Sequence, residues 1–127
     1  MRKRKWETMK EVRQAIVSQL KTVHPRVYFL KASNTAQFPY LVYTIQITDL
    51  GDGLRVVTLD VDGWNNQDDT TALEDLMINV KNALNRNLVI NNNLFLSFYL
   101  DRQLALTDDD PQLNRRTNIF MGRLYER

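Results

Sequence analysis

Four stretches of this chain alternate apolar and polar side chains with a period of two, and a segment of helical period separates the first pair from the second. That order restricts the fold more than any other feature, because successive side chains of a strand point to opposite faces of its sheet. Between residues 40 and 48, Leu41, Tyr43, Ile45 and Ile47 point one way and Tyr40, Val42, Thr44 and Gln46 the other. Between 54 and 64, Val57, Leu59 and Val61 alternate with Thr58, Asp60 and Asp62. Asp49-Leu50-Gly51-Asp52-Gly53 joins the two as a hairpin, since glycine accepts the positive φ of a tight turn. Leu94, Leu96, Phe98 and Leu100 mark a third strand over 94–102, and a fourth covers 115–125 after a polar start at Asn114. Pro39 sits where a strand tolerates proline, at its beginning.

Helical spacing occurs twice. Met9, Val12, Ile16, Leu20 and Val23 recur at steps of three and four, predicting a helix over 8–23 that His24-Pro25 ends. Leu73, Leu76, Met77, Val80 and Leu84 predict a second, entered through Asp68-Asp69-Thr70-Thr71 with Thr71 and Glu74 as a capping box, and left at 85–87. A short strand at 27–30 follows the first helix. The expected class is α+β: one domain over 1–127, with an antiparallel or mixed sheet of about four long strands and two helices packed on one face. Residues 1–6 are expected to form a flexible basic tail.

Composition removes several chemistries. There is no cysteine and a single histidine, His24, so disulfides, thiolate zinc sites and a cysteine nucleophile are excluded. The four glycines fall at turns, at a strand end (Gly63) and inside the last strand (Gly122), leaving none for a phosphate-binding loop. Gly122 marks a bulge or a close approach. No apolar run approaches the ~20 residues of a membrane-spanning helix. No apolar segment follows the basic start, so a cytoplasmic protein is expected. Asp60 and Asp62 share a strand face, as a nuclease's divalent-cation site requires, but no Glu-x-Lys follows. Asp108-Asp109-Asp110 lacks the spacing of a calcium loop. No enzyme, cofactor or metal site is therefore expected.

Charge is strongly segregated. Residues 1–31 hold nine bases and two acids, a balance of +7; residues 48–75 hold eight acids and one base, a balance of −7. Opposed charge of this kind suits head-to-tail contact between copies. It equally suits two solvated faces. Trp64 is a candidate interface anchor or an edge of the core. Asp68, Asp69 and the Asp108, Asp109, Asp110 run are candidate contact acids. Arg115 and Arg116 either pair with that run or reach a neighbouring subunit. Trp6, beside the basic run, fits stacking on nucleic acid or a plain solubilising end.

Taken in order, several segments carry a resemblance: Val12-Arg13-Gln14-Ala15-Ile16, Phe38-Pro39-Tyr40-Leu41-Val42, Leu59-Asp60-Val61-Asp62-Gly63-Trp64, Asp69-Thr70-Thr71-Ala72-Leu73-Glu74, the Asp108 to Pro111 loop and the strand from Asn118 to Tyr125. The chain resembles the tail-terminator (tail-completion) family of long-tailed bacteriophages. That resemblance implies a protein without enzymatic activity that forms a ring of six copies in the virion, at the head-tail joint. It implies the tail-tube protein and a head-completion or connector protein as partners, and the host cytoplasm as the place of assembly. The basic start departs from the family pattern. The competing classes are a nucleic-acid-acting protein, whether a basic binder or a metal-dependent nuclease, and another head-tail connector.

Overall fold

The computed structural model describes residues 5–51, 53–85 and 87–126. The chain order is α1 (Lys5–Lys21), β1 (Val27–Phe29), β2 (Tyr40–Asp49), β3 (Leu54–Asn65), α2 (Thr71–Leu84), β4 (Asn87–Val89), β5 (Leu94–Thr107) and β6 (Asn114–Glu126). One six-stranded sheet runs β1-β2-β3-β6-β5-β4. Among the described residues only β1 and β2 pair in parallel, so the sheet is mixed. The predicted hairpin of β2 with β3 forms, β5 and β6 make a second, and the two join where β3 and β6 pair over twelve positions from Leu54↔Tyr125 to Asn65↔Asn114.

Both helices lie on one face. The strand residues pointing there form one core with Val12, Ile16 and Leu20 of α1 and with Leu76, Met77, Val80 and Leu84 of α2. Phe120, Leu59, Val57, Leu41, Leu96 and Leu124 are fully buried in the sheet layer beneath them. Burial of each such side chain contributes about 1.5–3 kcal/mol by area removed from water. Two polar ties fix the helices. Arg55, 5% exposed, donates from Nη1 to the Thr8 hydroxyl at 3.0 Å and approaches Glu126 at 3.7 Å, holding the start of α1 over the start of β3. Asn118, also buried, donates to the Met77 carbonyl at 2.9 Å and accepts from Gln103 at 3.1 Å.

Several boundaries differ from the sequence reading. α1 starts at Lys5, which places Trp6 in a helix rather than a tail; residues 1–4, the rest of the expected basic tail, lie outside the described residues. It ends at Lys21, where the amides of Val23 and His24 both turn back to the Leu20 carbonyl. The capping box does not form. Thr70 is the N-cap, its hydroxyl bonds Glu74, and the Thr71 amide is taken by Asp69 at 2.9 Å. β5 extends to Thr107 because a bulge between Leu100 and Arg102 sets Asp101 aside and resets the alternation. β4 was unforeseen. Among the described residues, no helix is long and apolar enough to cross a membrane.

Gly122 is a close approach: a Cβ there would lie 2.7 Å from the Phe98 ring and 3.0 Å from Leu96. At Gly63 the nearest atom, at 2.6 Å, is the flexible Met77 sulfur. Overpacking against a buried ring costs about 1–3 kcal/mol. We expect Gly122→Ala to lower the unfolding free energy by that amount and Gly63→Ala to lower it less, each read as a lower urea midpoint with unchanged slope.

Candidate functional site

Because β3 is antiparallel to its neighbours, the molecule has two ends. One carries the β2–β3 turn, the start of α1 and the β4–β5 turn; the other carries the end of β3, the start of α2 and the β5–β6 turn. The residues singled out in the sequence gather at the second end. Asp68 and Asp69 lie between β3 and α2, and Asp108, Asp109 and Asp110 between β5 and β6; all five are exposed. Asn114 ties the two loops by donating to the Gln67 carbonyl at 2.7 Å.

Part of this acidity is spent on the backbone. Asp110 accepts from the Gln112 amide at 2.9 Å, and Asp108 from the Asp110 amide at 3.3 Å. Asp69 accepts from Thr71, and these hydrogen bonds hold its carboxyl below the usual range. Asp108 lies close enough to Tyr40 to help raise the phenol, after burial as the larger cause.

Arg115 and Arg116 do not pair with the 108–110 run. Adjacent residues of β6, they point to opposite faces of the sheet. On the helix side, Arg116 donates from Nε and Nη2 to Glu74 of α2 at 3.4 and 3.2 Å. On the open side, Arg115 donates from Nη2 to Asp62 Oδ2 at 3.1 Å, and its guanidinium lies 5.2 Å from the centre of the Trp64 ring. The Thr117 hydroxyl donates to the other Asp62 oxygen. Trp64 is thus half-buried under a cation. It also lines, with Phe38, Tyr40, Val42 and the 30–36 loop, a cleft of about 440 Å³ on the open face. Arg115 Nε is buried without a hydrogen-bond partner.

The acids of 48–75 therefore do not make one surface. Asp49 accepts from the Gly51 amide in the hairpin turn, Asp60 and Asp62 sit on the open face, and Asp68, Asp69, Glu74 and Asp75 surround the start of α2. With both oxygens of Asp62 engaged by protein donors, Asp60 and Asp62 are poorly arranged to share a cation. Among the described residues, no cluster of three or more metal-ligating side chains occurs.

Sequence reasoning missed two apolar features at the sheet edges. Trp6, Met9, Phe29, Leu30 and Ile45, rimmed by Lys10 and Arg13, line a groove of about 410 Å³ beside β2. Across the molecule, Ile78 (51% exposed) and Leu104 (38% exposed) border a second hollow beside β5. A signal was present, since Ile78 is an apolar residue off the buried stripe of α2.

The architecture is an α+β sheet with a one-sided helical layer, and it is shared with a known particle. The fold is similar to that of a chain in the virion of a native gene transfer agent particle, with a TM-score of 0.74 and 15% identity over 88% of this chain and 92% of that one. No family model matches the sequence. No curated protein matches it.

Asp60 and Asp62 differ in a testable way. Burial, and then the charge of Asp62, raise the Asp60 carboxyl above its usual value. A raised carboxylate opposes folding when ionised, so this penalty is present above the folded pKa and fades as pH falls toward the unfolded value. We expect Asp60→Asn to raise the melting temperature at pH 7, with a smaller gain at pH 4. Asp62→Asn removes the charge that Arg115 and Thr117 hold, and is expected to cost about 1–3 kcal/mol at pH 7. Thermal scans of both variants at the two pH values check this.

Proposed function

We propose that this chain is a structural assembly protein of a bacteriophage or prophage virion that terminates the tail tube and forms part of the head-tail joint as an oligomeric ring. The observation that carries the reading is the likeness of fold, over nearly the full length of both chains, to a chain of a virion particle. The segments resembling tail terminators agree with it. So does the surface: side chains suited to chemistry are tied up in intramolecular pairs, while apolar side chains stand exposed at both sheet edges.

In this reading the partners are further copies of the chain (six in the ring), the tail-tube protein on one side and a head-completion or connector protein on the other. The acidic end formed by Asp68, Asp69, Asp108, Asp109 and Asp110 is a surface for one of those partners, with Trp64, Arg115 and Arg116 holding the ends of β3 and β6 in place beneath it. Ring formation in dilute solution is weak. On the tail tip the neighbouring tube subunits raise the effective concentration and favour closure.

Deleting the gene from a producing phage tests the reading. We expect lysates examined by electron microscopy to contain filled heads and separate tails, with joining restored by the wild-type chain supplied in trans. Intact, infectious virions in the deletion would overturn it. The competing nuclease reading has its own assay: incubation with DNA and magnesium or manganese. No cleavage is expected; cleavage abolished by both Asp60→Asn and Asp62→Asn would establish the enzyme instead.

A further inference from the structure

Each edge of the sheet is covered over only part of its length, and the uncovered parts lie at opposite ends of the molecule. β1 pairs with β2 at Leu41–Tyr43, leaving the outer side of β2 from Ile45 onward without a strand partner among the described residues. β4 pairs with β5 at Phe95–Ser97, leaving the outer side of β5 beyond Phe98 likewise without one. The free side of β5 includes the Asp101–Arg102 ion pair at the bulge, but the stretches Ile45-Gln46-Ile47-Thr48 and Gln103-Leu104-Ala105-Leu106-Thr107 contain neither charge nor proline. Monomeric proteins blunt their edges with those residues, because an open strand is a template for another chain.

The surroundings of the two free segments match. Beside the β2 segment lies the apolar groove of Trp6, Met9, Phe29 and Leu30, with Lys10 and Arg13 on its rim. Trp6 is 78% and Leu30 61% exposed, and Leu30 is held at a φ of 69°, a conformation disfavoured for a leucine. Beside the β5 segment, Glu74, Asp75 and Ile78 of α2 are exposed. The first edge is apolar and basic; at the second Arg116 neutralises Glu74, and Asp75 supplies the acid beside Ile78.

The geometry points to a head-to-tail contact in which the free β2 edge and α1 groove of one copy receive the free β5 edge and α2 face of the next. The occupant of the groove is thus a second copy of this chain. This deepens the ring reading above and rests on it.

Strand direction agrees, since β2 runs toward the β2–β3 turn and β5 runs the opposite way, so copies rotated about a common axis pair antiparallel. Stagger agrees as well. Ile47 is level with Val57, Gly122 and Phe98 across the sheet, so the middle of the free β5 segment lies about six residues, or roughly 20 Å, further along. Across the four strands from β2 to β5, spaced ~4.8 Å apart, that offset corresponds to a strand tilt of roughly 46°, close to the ~35–45° at which sheets close into barrels. The same shift brings the first turns of α1, with Lys10 and Arg13, level with the first turns of α2, with Glu74 and Asp75.

The chain has no cysteine, so cross-linking can be placed at will. The double variant Lys10→Cys, Asp75→Cys and each single variant are treated, concentrated, with a short bismaleimide. The contact predicts a ladder of covalent oligomers from the double variant and only background dimer from either single one. Ile78→Lys, at an exposed position, should weaken association at least tenfold by sedimentation while leaving the melting temperature unchanged. Efficient dimers from a single variant would overturn the proposal in favour of a two-fold contact, and so would the absence of a ladder. If either result came with joining lost in the deletion and restored by the chain supplied in trans, the edge contact would fail and the tail reading would stand. Unweakened association of Ile78→Lys would also overturn it.

Discussion

The twelve-position ladder between β3 and β6 is the constraint on which everything else depends. It fuses two local hairpins into one sheet, and it does so with the longest sequence separations of any strand pairing in the fold. Once it forms, α2, which leaves the end of β3 and returns to the start of β4, has one face to cover. Asn118 and Phe120 of β6 meet α2 there, one through a buried hydrogen bond to the Met77 carbonyl and the other through a fully buried ring. Interrupting this ladder would leave hairpins that are marginal in water by themselves.

A one-sided helical layer has two consequences. The open face must support itself, and it does so through cross-strand pairs: the Asp62 carboxylate between Arg115 and Thr117, and Trp64 beneath the Arg115 guanidinium. These pairs immobilise the very residues that a catalytic reading would need. The edges, meanwhile, are only partly closed by the three-residue strands β1 and β4. Exposed apolar residues collect where closure stops. A protein built this way has its unfinished surfaces at the two lateral edges rather than in a deep pocket, which is what a repeating assembly unit needs.

Much of this was legible in the residues. The alternation of Val57, Leu59 and Val61 and the three-four spacing of Leu73, Leu76, Met77, Val80 and Leu84 name the buried faces, and all of these residues are buried. β4 was not legible because three residues carry no period. The far half of β5 was hidden because the bulge at Asp101 shifts the phase, so Leu104 and Leu106 fall opposite to Leu96 and Phe98. Pairing was the least legible feature. Arg115 and Arg116 find partners 53 and 42 positions away, although the period of two already required them to point apart. The charge imbalance between the two segments was plain in the sequence. Its division into a hairpin turn, an open face and a helix start was set by the topology.

Whether this fold is a unit of head-to-tail assembly, as proposed, is tested most directly by negative-stain microscopy of concentrated protein. The account predicts rings with a central hole and one repeated contact around the circumference, loosening modestly as salt screens the charged rims of the groove. Two-fold dimers, or particles that stay single at every concentration, would contradict it.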